Sequence, residues 1–114
     1  MIEEQSSAAA PADRGPELTS AERKHLRGLA HPLKPVVTVG KAGLSAPLRA
    51  EADQTLNDHE LIKVKLRGCD RDERKVLAAD LVASLDAHLA GLIGNVAIVY
   101  RRHADPERRR IALA

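Results

Sequence analysis

Gly40-Lys41-Ala42-Gly43 stands between a β-branched run, Val36-Val37-Thr38-Val39, and Ser45, which opens a stretch of helical apolar spacing. Glycines at both ends of a four-residue turn let a backbone pass close to a partner and turn where other residues cannot. The N-terminus of the following helix would present unpaired N–H groups and a partial positive charge, a natural seat for phosphate. Lys41 would add a mobile ammonium at the tip. One use of such a turn is to clamp a nucleic-acid backbone; the other reading is a tight β-α connection with no ligand. The four residues alone do not choose between them.

Other chemistries have less to stand on. The GxxxxGK-Ser/Thr loop of nucleotide triphosphatases is missing, as is the GxGxxG dinucleotide pattern. His25, His31, His59, His88 and His103 show no paired spacing, and one cysteine cannot build a zinc knot, so no metal and no cofactor is expected. Cys69, in a Gly-Cys-Asp junction, has no base near it in sequence. Asp70, Asp72 and Glu73 open a helix, where acids suit the macrodipole better than they suit catalysis. Ser45 lacks a nucleophile elbow. The sequence reads as non-enzymatic.

The cations are more suggestive in combination. Arg23, Lys24 and Arg27 belong to the first helical stretch, and His31 and Lys34 follow it. Lys63 and Lys65 alternate along one face of a strand, and Arg101 follows the last strand. With Gly40, Lys41, Ala42 and Gly43 they make the candidate nucleic-acid contacts. Each alone is as well explained as a solvated charge, and His31 equally as a structural cap. The reading requires the fold to bring them to one surface. Residues 1–17 carry four acids against one arginine, a balance of −3. The remainder carries 17 Lys/Arg against 12 Asp/Glu, a balance of +5. A basic body suggests an anionic partner. With Tyr100 as its single aromatic residue, the chain cannot work mainly by stacking bases on aromatic platforms.

The elements that must position these residues follow from caps and periodicity. Residues 1–17 are rich in Ser, Ala, Pro and acids with no apolar period, and read as a disordered leader. Residues 18–114 form one domain. Thr19 and Glu22 make a capping box ahead of the stripe Leu26, Leu29 and Ala30, and Pro32 and Pro35 end that helix. Val36 to Val39 reads as a buried strand. Ser45 caps a second helix with Leu48, Ala52 and Leu56 inward. Ile62, Val64 and Leu66 alternate with Lys63, Lys65 and Arg67 in a second strand. Asp70 and Glu73 repeat the capping box before Val76, Leu77, Leu81 and Leu85. Two apolar runs around Gly94-Asn95 make a hairpin. The order is α-β-α-β-α-β-β, an α/β fold with one four-stranded mixed sheet and three helices. The β-α-β crossovers favour parallel pairing among the first three strands, with the hairpin adding an antiparallel edge. A lone cysteine, no stretch of signal-peptide type and no membrane-length segment point to the cytoplasm.

At these residues the sequence resembles the CRM family (chloroplast RNA splicing and ribosome maturation), in its bacterial stand-alone, YhbY-like group. Leu26 to Ser45, including His31-Pro-Leu-Lys-Pro and the glycine loop, looks like the family's first signature. His59-Glu-Leu-Ile-Lys-Val-Lys-Leu66 looks like its second. The resemblance implies a fold like the C-terminal domain of the third bacterial translation initiation factor. It also implies RNA binding and association with the precursor of the large ribosomal subunit; the chain is expected to be a monomer. The family's GxxG loop falls on Gly40 to Gly43 and its basic neighbours on Lys34, Lys63 and Lys65. The acidic leader and the run Arg108 to Arg110 depart from the pattern. The leading expectation is therefore a binder of structured ribosomal RNA. The alternatives are a protein-interaction module of the translation machinery with incidental RNA contacts, and an enzyme holding a phosphorylated small molecule.

Overall fold

The alternation in Leu61–Leu66 decides how the molecule is layered. In this computed structural model, which describes residues 15–113, the strand (β2) buries Ile62, Val64 and Leu66 on one side of the sheet. Lys63 and Lys65 must then project from the other. Pro35–Val39 (β1) does the same with Val37 and Val39 inward. Two helices cover the inward side, Ala46–His59 (α2) and Arg71–Ser84 (α3), contributing Ala52, Leu56, Ala78 and Leu81 to the core. The helix Ser20–Ala30 (α1) lies across the opposite side with Leu26 and Ala30, over Leu61, Ala90, Ile98 and Tyr100.

Local chemistry sets each boundary as the caps imply. The Thr19 hydroxyl accepts from the Glu22 N–H while the Glu22 carboxylate accepts from the Thr19 N–H, and Asp70 and Glu73 repeat the exchange. Ser45 Oγ accepts from the Leu48 N–H, with Pro47 in the first turn of α2. The core contains no Phe or Trp. It is filled by aliphatic side chains and by alanines at the helix–sheet crossings, Ala30, Ala52 and Ala78, all without solvent exposure. Truncating Leu26, Leu56 or Leu81 to alanine in such a core costs about 2–5 kcal/mol.

The strand order is β1-β2-β4-β3, with His88–Ile93 (β3) and Val96–Tyr100 (β4) joined by Gly94-Asn95. β1 and β2 pair in parallel, and β4 pairs antiparallel with both β2 and β3. This corrects the expected pairing: β3 runs in the direction of β2 but does not touch it, because β4 inserts between them. Composition explains the choice. Ala97 to Tyr100 is buried on both faces and suits an interior position, whereas β3 carries Gly91 and the exposed Ile93 and takes the edge.

Three residues assigned to buried faces are exposed: Leu29 on α1, Val36 on β1 and Val76 on α3. For Val36 the reason is direct. Its side of the sheet is covered by α1 only over β3, β4 and the start of β2, so β1 is buried on one face, not two.

After β4 the chain turns through a 3₁₀ turn at Pro106–Arg108, and Ile111 and Leu113 pack beside α1. His25 meets the Ala112 carbonyl at 2.9 Å. Leu18 is already part of this core, and Gly15 lies against the Arg102 guanidinium. The expected disordered leader falls, over residues 1–14, outside the described residues.

Candidate nucleic-acid interface

The glycine loop leaves the carboxyl end of β1 and closes on itself through a Gly43 N–H to Gly40 carbonyl bond of 3.0 Å. Gly43 has φ +66°, a left-handed conformation that penalises any side chain, which explains glycine there. Nothing stands within 4 Å of a Cβ built on Gly40 or Gly43, so the loop backbone is open to an approaching group. Lys41 and Ala42 are exposed at its tip. Ser45 then starts α2, so the loop and a helix N-terminus share one end of the sheet.

Lys65 stands beside this loop, since Thr38 pairs with Lys65 and Val39 with Leu66 in the β1–β2 register. The Arg67 N–H donates to the Val39 carbonyl and carries the same face one step further. Lys63 is half-buried and its Nζ donates to the His31 carbonyl at 3.2 Å, which ties the end of α1 to the sheet. An ammonium has three donors, so Lys63 keeps two for a ligand. Lys34 and His31 are exposed on the connection from α1 to β1. Among the described residues, none holds the ammonium groups of Lys34, Lys41 or Lys65 by a hydrogen bond or ion pair. The open half of the sheet, between α1 and the free edge of β1, is therefore lined by Lys34, Lys63 and Lys65 and capped by the Gly40–Gly43 loop.

The other expected contacts lie elsewhere. Arg23 donates to the Leu18 carbonyl at 2.7 Å and to Ser20 Oγ. Arg27 lays its stem over Gly91, where a Cβ would meet it at 2.6 Å, and donates to the Ala90 carbonyl. Both are half-buried, on the side away from the loop: Arg27 holds α1 against β3, and Arg23 braces the amino-terminal end of α1 against the Leu18 carbonyl. Lys24 is exposed on α1. Arg101 is on the α2–α3 side, with its guanidinium 2.7 Å from the Asp53 carboxylate and donating to the Asn57 side chain and the Leu85 and Asp53 carbonyls. A guanidinium so engaged is a strut between helices. Gly40, Lys41, Ala42, Gly43, His31, Lys34, Lys63 and Lys65 thus lie together at the open half of the sheet, whereas Arg23, Arg27 and Arg101 lie apart from them with partners inside the fold.

Sequence reasoning missed Glu60. It joins α2 to β2 at φ +64° and is almost wholly buried. Its carboxylate accepts from the backbone N–H groups of His103, Arg110 and Ile111 at 2.6, 2.7 and 3.1 Å, while its carbonyl accepts from the Arg101 N–H. One carboxylate thereby fixes the whole carboxyl-terminal segment, including Arg108–Arg110. Its partners are at least 43 residues away, so no local pattern could have marked it. Among the described residues, no cluster of three or more His, Cys, Asp or Glu could hold a metal ion, and no helix is long and apolar enough to cross a membrane.

Residues 18–101 match the sequence pattern of the CRS1/YhbY (CRM) domain. The chain is 42% identical over 91 residues to a probable RNA-binding protein of Pseudomonas aeruginosa, covering 80% of this chain and 88% of that one. It is 39% identical over 84 residues to an RNA-binding protein of Haemophilus influenzae, covering 74% and 85%. The solution structure of a Staphylococcus aureus protein, presented as a candidate RNA binder, superposes with a TM-score of 0.72 at 30% identity. That match covers 83% of this chain and 99% of the other.

Proposed function

The chain belongs to the CRS1/YhbY (CRM) family, and we propose that it binds structured ribosomal RNA through the Gly40–Gly43 loop and the lysines of the open sheet face. On this reading it associates in the cytoplasm with precursors of the large ribosomal subunit, as a monomer and without catalysis. The observation that carries it is the placement of Lys65 beside an exposed, sterically open GxxG loop, with Lys34 and Lys63 continuing the same face. The names of the Pseudomonas and Haemophilus relatives supply the RNA.

The physical roles divide simply. Gly40 and Gly43 admit a phosphodiester to the loop backbone, and Lys41 neutralises it. Lys34, Lys63 and Lys65 supply the surrounding field. Such contacts position RNA and read little sequence, so shape selects the site.

The test is sedimentation of tagged protein from lysate, comparing the native chain with a Lys41→Glu, Lys65→Glu variant. Native protein travelling with large-subunit precursors, and the variant staying at the top, is the expected result. Native protein at the top of the gradient in low salt would overturn the ribosomal reading. Particle association that survives the double reversal would place the contact on protein instead. Affinity for a ribosomal RNA fragment should also fall with salt, by roughly 0.7–0.9 in log–log slope for each phosphate neutralised.

A further inference from the structure

Among the described residues, three of the five exposed large apolar side chains gather at one place. Leu29 is 42% exposed, Leu33 40% and Val36 51%, whereas Val76 and Ile93 lie outside this group. Together with Leu61 and Ile111 they line an open groove of about 440 Å³, between the end of α1, the start of β1 and the carboxyl-terminal segment. That volume is within the roughly 300–1,000 Å³ of sites that take small organic groups. Lys34 and Arg110 stand on its rim, and Lys63 and Lys65 lead from it along the sheet towards the loop. Val36 on β1 and Gly40 just beyond its end are four residues apart, about 13 Å of extended chain. β1 is also an edge strand, so half of its backbone donors and acceptors have no strand partner.

We propose that this groove seats unpaired bases of an RNA strand whose phosphates continue across Lys34, Lys63 and Lys65 to the Gly40–Gly43 loop. The inference rests on the RNA-binding reading and adds to it a single-stranded segment held by its bases. An aliphatic floor with a cationic rim complements a strand that is apolar on its base faces and anionic along its backbone. Bases are held between apolar as well as aromatic side chains. The lack of Phe and Trp therefore excludes an aromatic platform and leaves an aliphatic cleft available. The edge of β1 offers backbone groups to the base edges, and α1 and the carboxyl-terminal segment form the walls. The Glu60 carboxylate fixes the second of these walls by holding Arg110 and Ile111.

The experiment uses the full chain with methyl-labelled Leu and Val. It is titrated with a short single-stranded RNA of mixed sequence, and with an abasic ribose-phosphate strand of the same length. The base-bearing strand should bind about tenfold more tightly than the abasic one and should shift the Leu29, Leu33 and Val36 methyl signals. A Leu33→Gln, Val36→Thr variant, altered only at exposed positions, should bind both strands equally. Lys41→Glu should weaken both. Equal binding of the two strands, or unmoved groove methyls, overturns the proposal. The RNA reading survives that outcome if a structured ribosomal fragment still binds through Lys41, and fails with it if no RNA binds. Should the groove methyls instead shift on an Ile2→Gln, Glu3→Gln, Glu4→Gln exchange in the RNA-free chain and ignore RNA, the acidic leader is the occupant and the proposal is wrong.

Discussion

The two faces of the sheet carry similar residues and treat them differently. On the side of α2 and α3 the sheet is covered from β1 to β4, and the cation that reaches it, Arg101, is held by Asp53, Asn57 and two carbonyls. On the side of α1 only half of the sheet is covered. Lys65 and Lys34 are exposed there, and so are Leu33 and Val36. The difference is not one of residue type, since both sides have cations and aliphatics. It comes from one short helix against two longer ones, with 11 residues in α1 and 14 in each of α2 and α3. A four-stranded sheet with a single helix on one side keeps an unroofed strip, and side chains along the strip have water, or a ligand, for a partner.

The largest expected effect is at the seam between covered and open. Glu60→Ala removes the acceptor for three backbone N–H groups and keeps the left-handed φ. It should cost about 3 kcal/mol or more, seen as a lower midpoint in urea. Hydrogen exchange should show residues 103–111 losing protection first. A stability change below about 1 kcal/mol would mean that the segment is held by Ile111 and Leu113 and not by the carboxylate.

Next comes the covered side. Arg101→Ala deletes a partly buried ion pair and several hydrogen bonds, and should lower stability by about 2 kcal/mol. The RNA affinity of the folded fraction should not change. A loss of affinity without loss of stability would return Arg101 to the interface and break the contrast between the faces.

The open side should show the reverse. Lys41→Glu and Lys65→Glu, at exposed positions, should each move stability by no more than about 0.5 kcal/mol. Each should weaken binding of a ribosomal RNA fragment about tenfold, and Lys65→Gln should reduce the salt slope by about one phosphate. Filter binding at two salt concentrations separates these outcomes. If Arg23→Gln has the same effect on the slope, the interface extends over α1 to the β3 edge.

What could be read from the sequence divides along the same line. Caps, alternation and the two-residue hairpin are local, and they placed three helices, four strands and the glycine loop where the structure has them. The alternation of Lys63 and Lys65 against Ile62, Val64 and Leu66 even assigned the lysines to one face. Coverage is not local. Whether Leu29 and Val36 are buried depends on how far α1 reaches across the sheet, and β-branching at Val36 says nothing of that. Nor do arginine and lysine differ in a charge count, yet Arg23, Arg27 and Arg101 reach backbone carbonyls with planar forks while Lys34, Lys41 and Lys65 stay in solvent. The Glu60 contacts and the insertion of β4 between β2 and β3 are both consequences of tertiary closure.

The smallest effect tests how dry the covered half of the α1 side is. Tyr100 lies there, 2% exposed. Burial first, and the Glu60 carboxylate second, push its phenol above the ordinary value of 10.0, against the opposing pull of Arg102 and Arg109. A phenol raised in the folded state keeps its proton longer than in the unfolded chain. It therefore takes nothing from stability below pH 10, and stability falls as the pH rises beyond that, until the buried phenol itself ionises. Denaturation of the native chain and of Tyr100→Phe should accordingly agree at pH 8 and diverge above pH 10, with the Phe variant losing less. Parallel curves would mean that water reaches the Tyr100 hydroxyl, and that the roof over β4 is as leaky as the strip beside it is open.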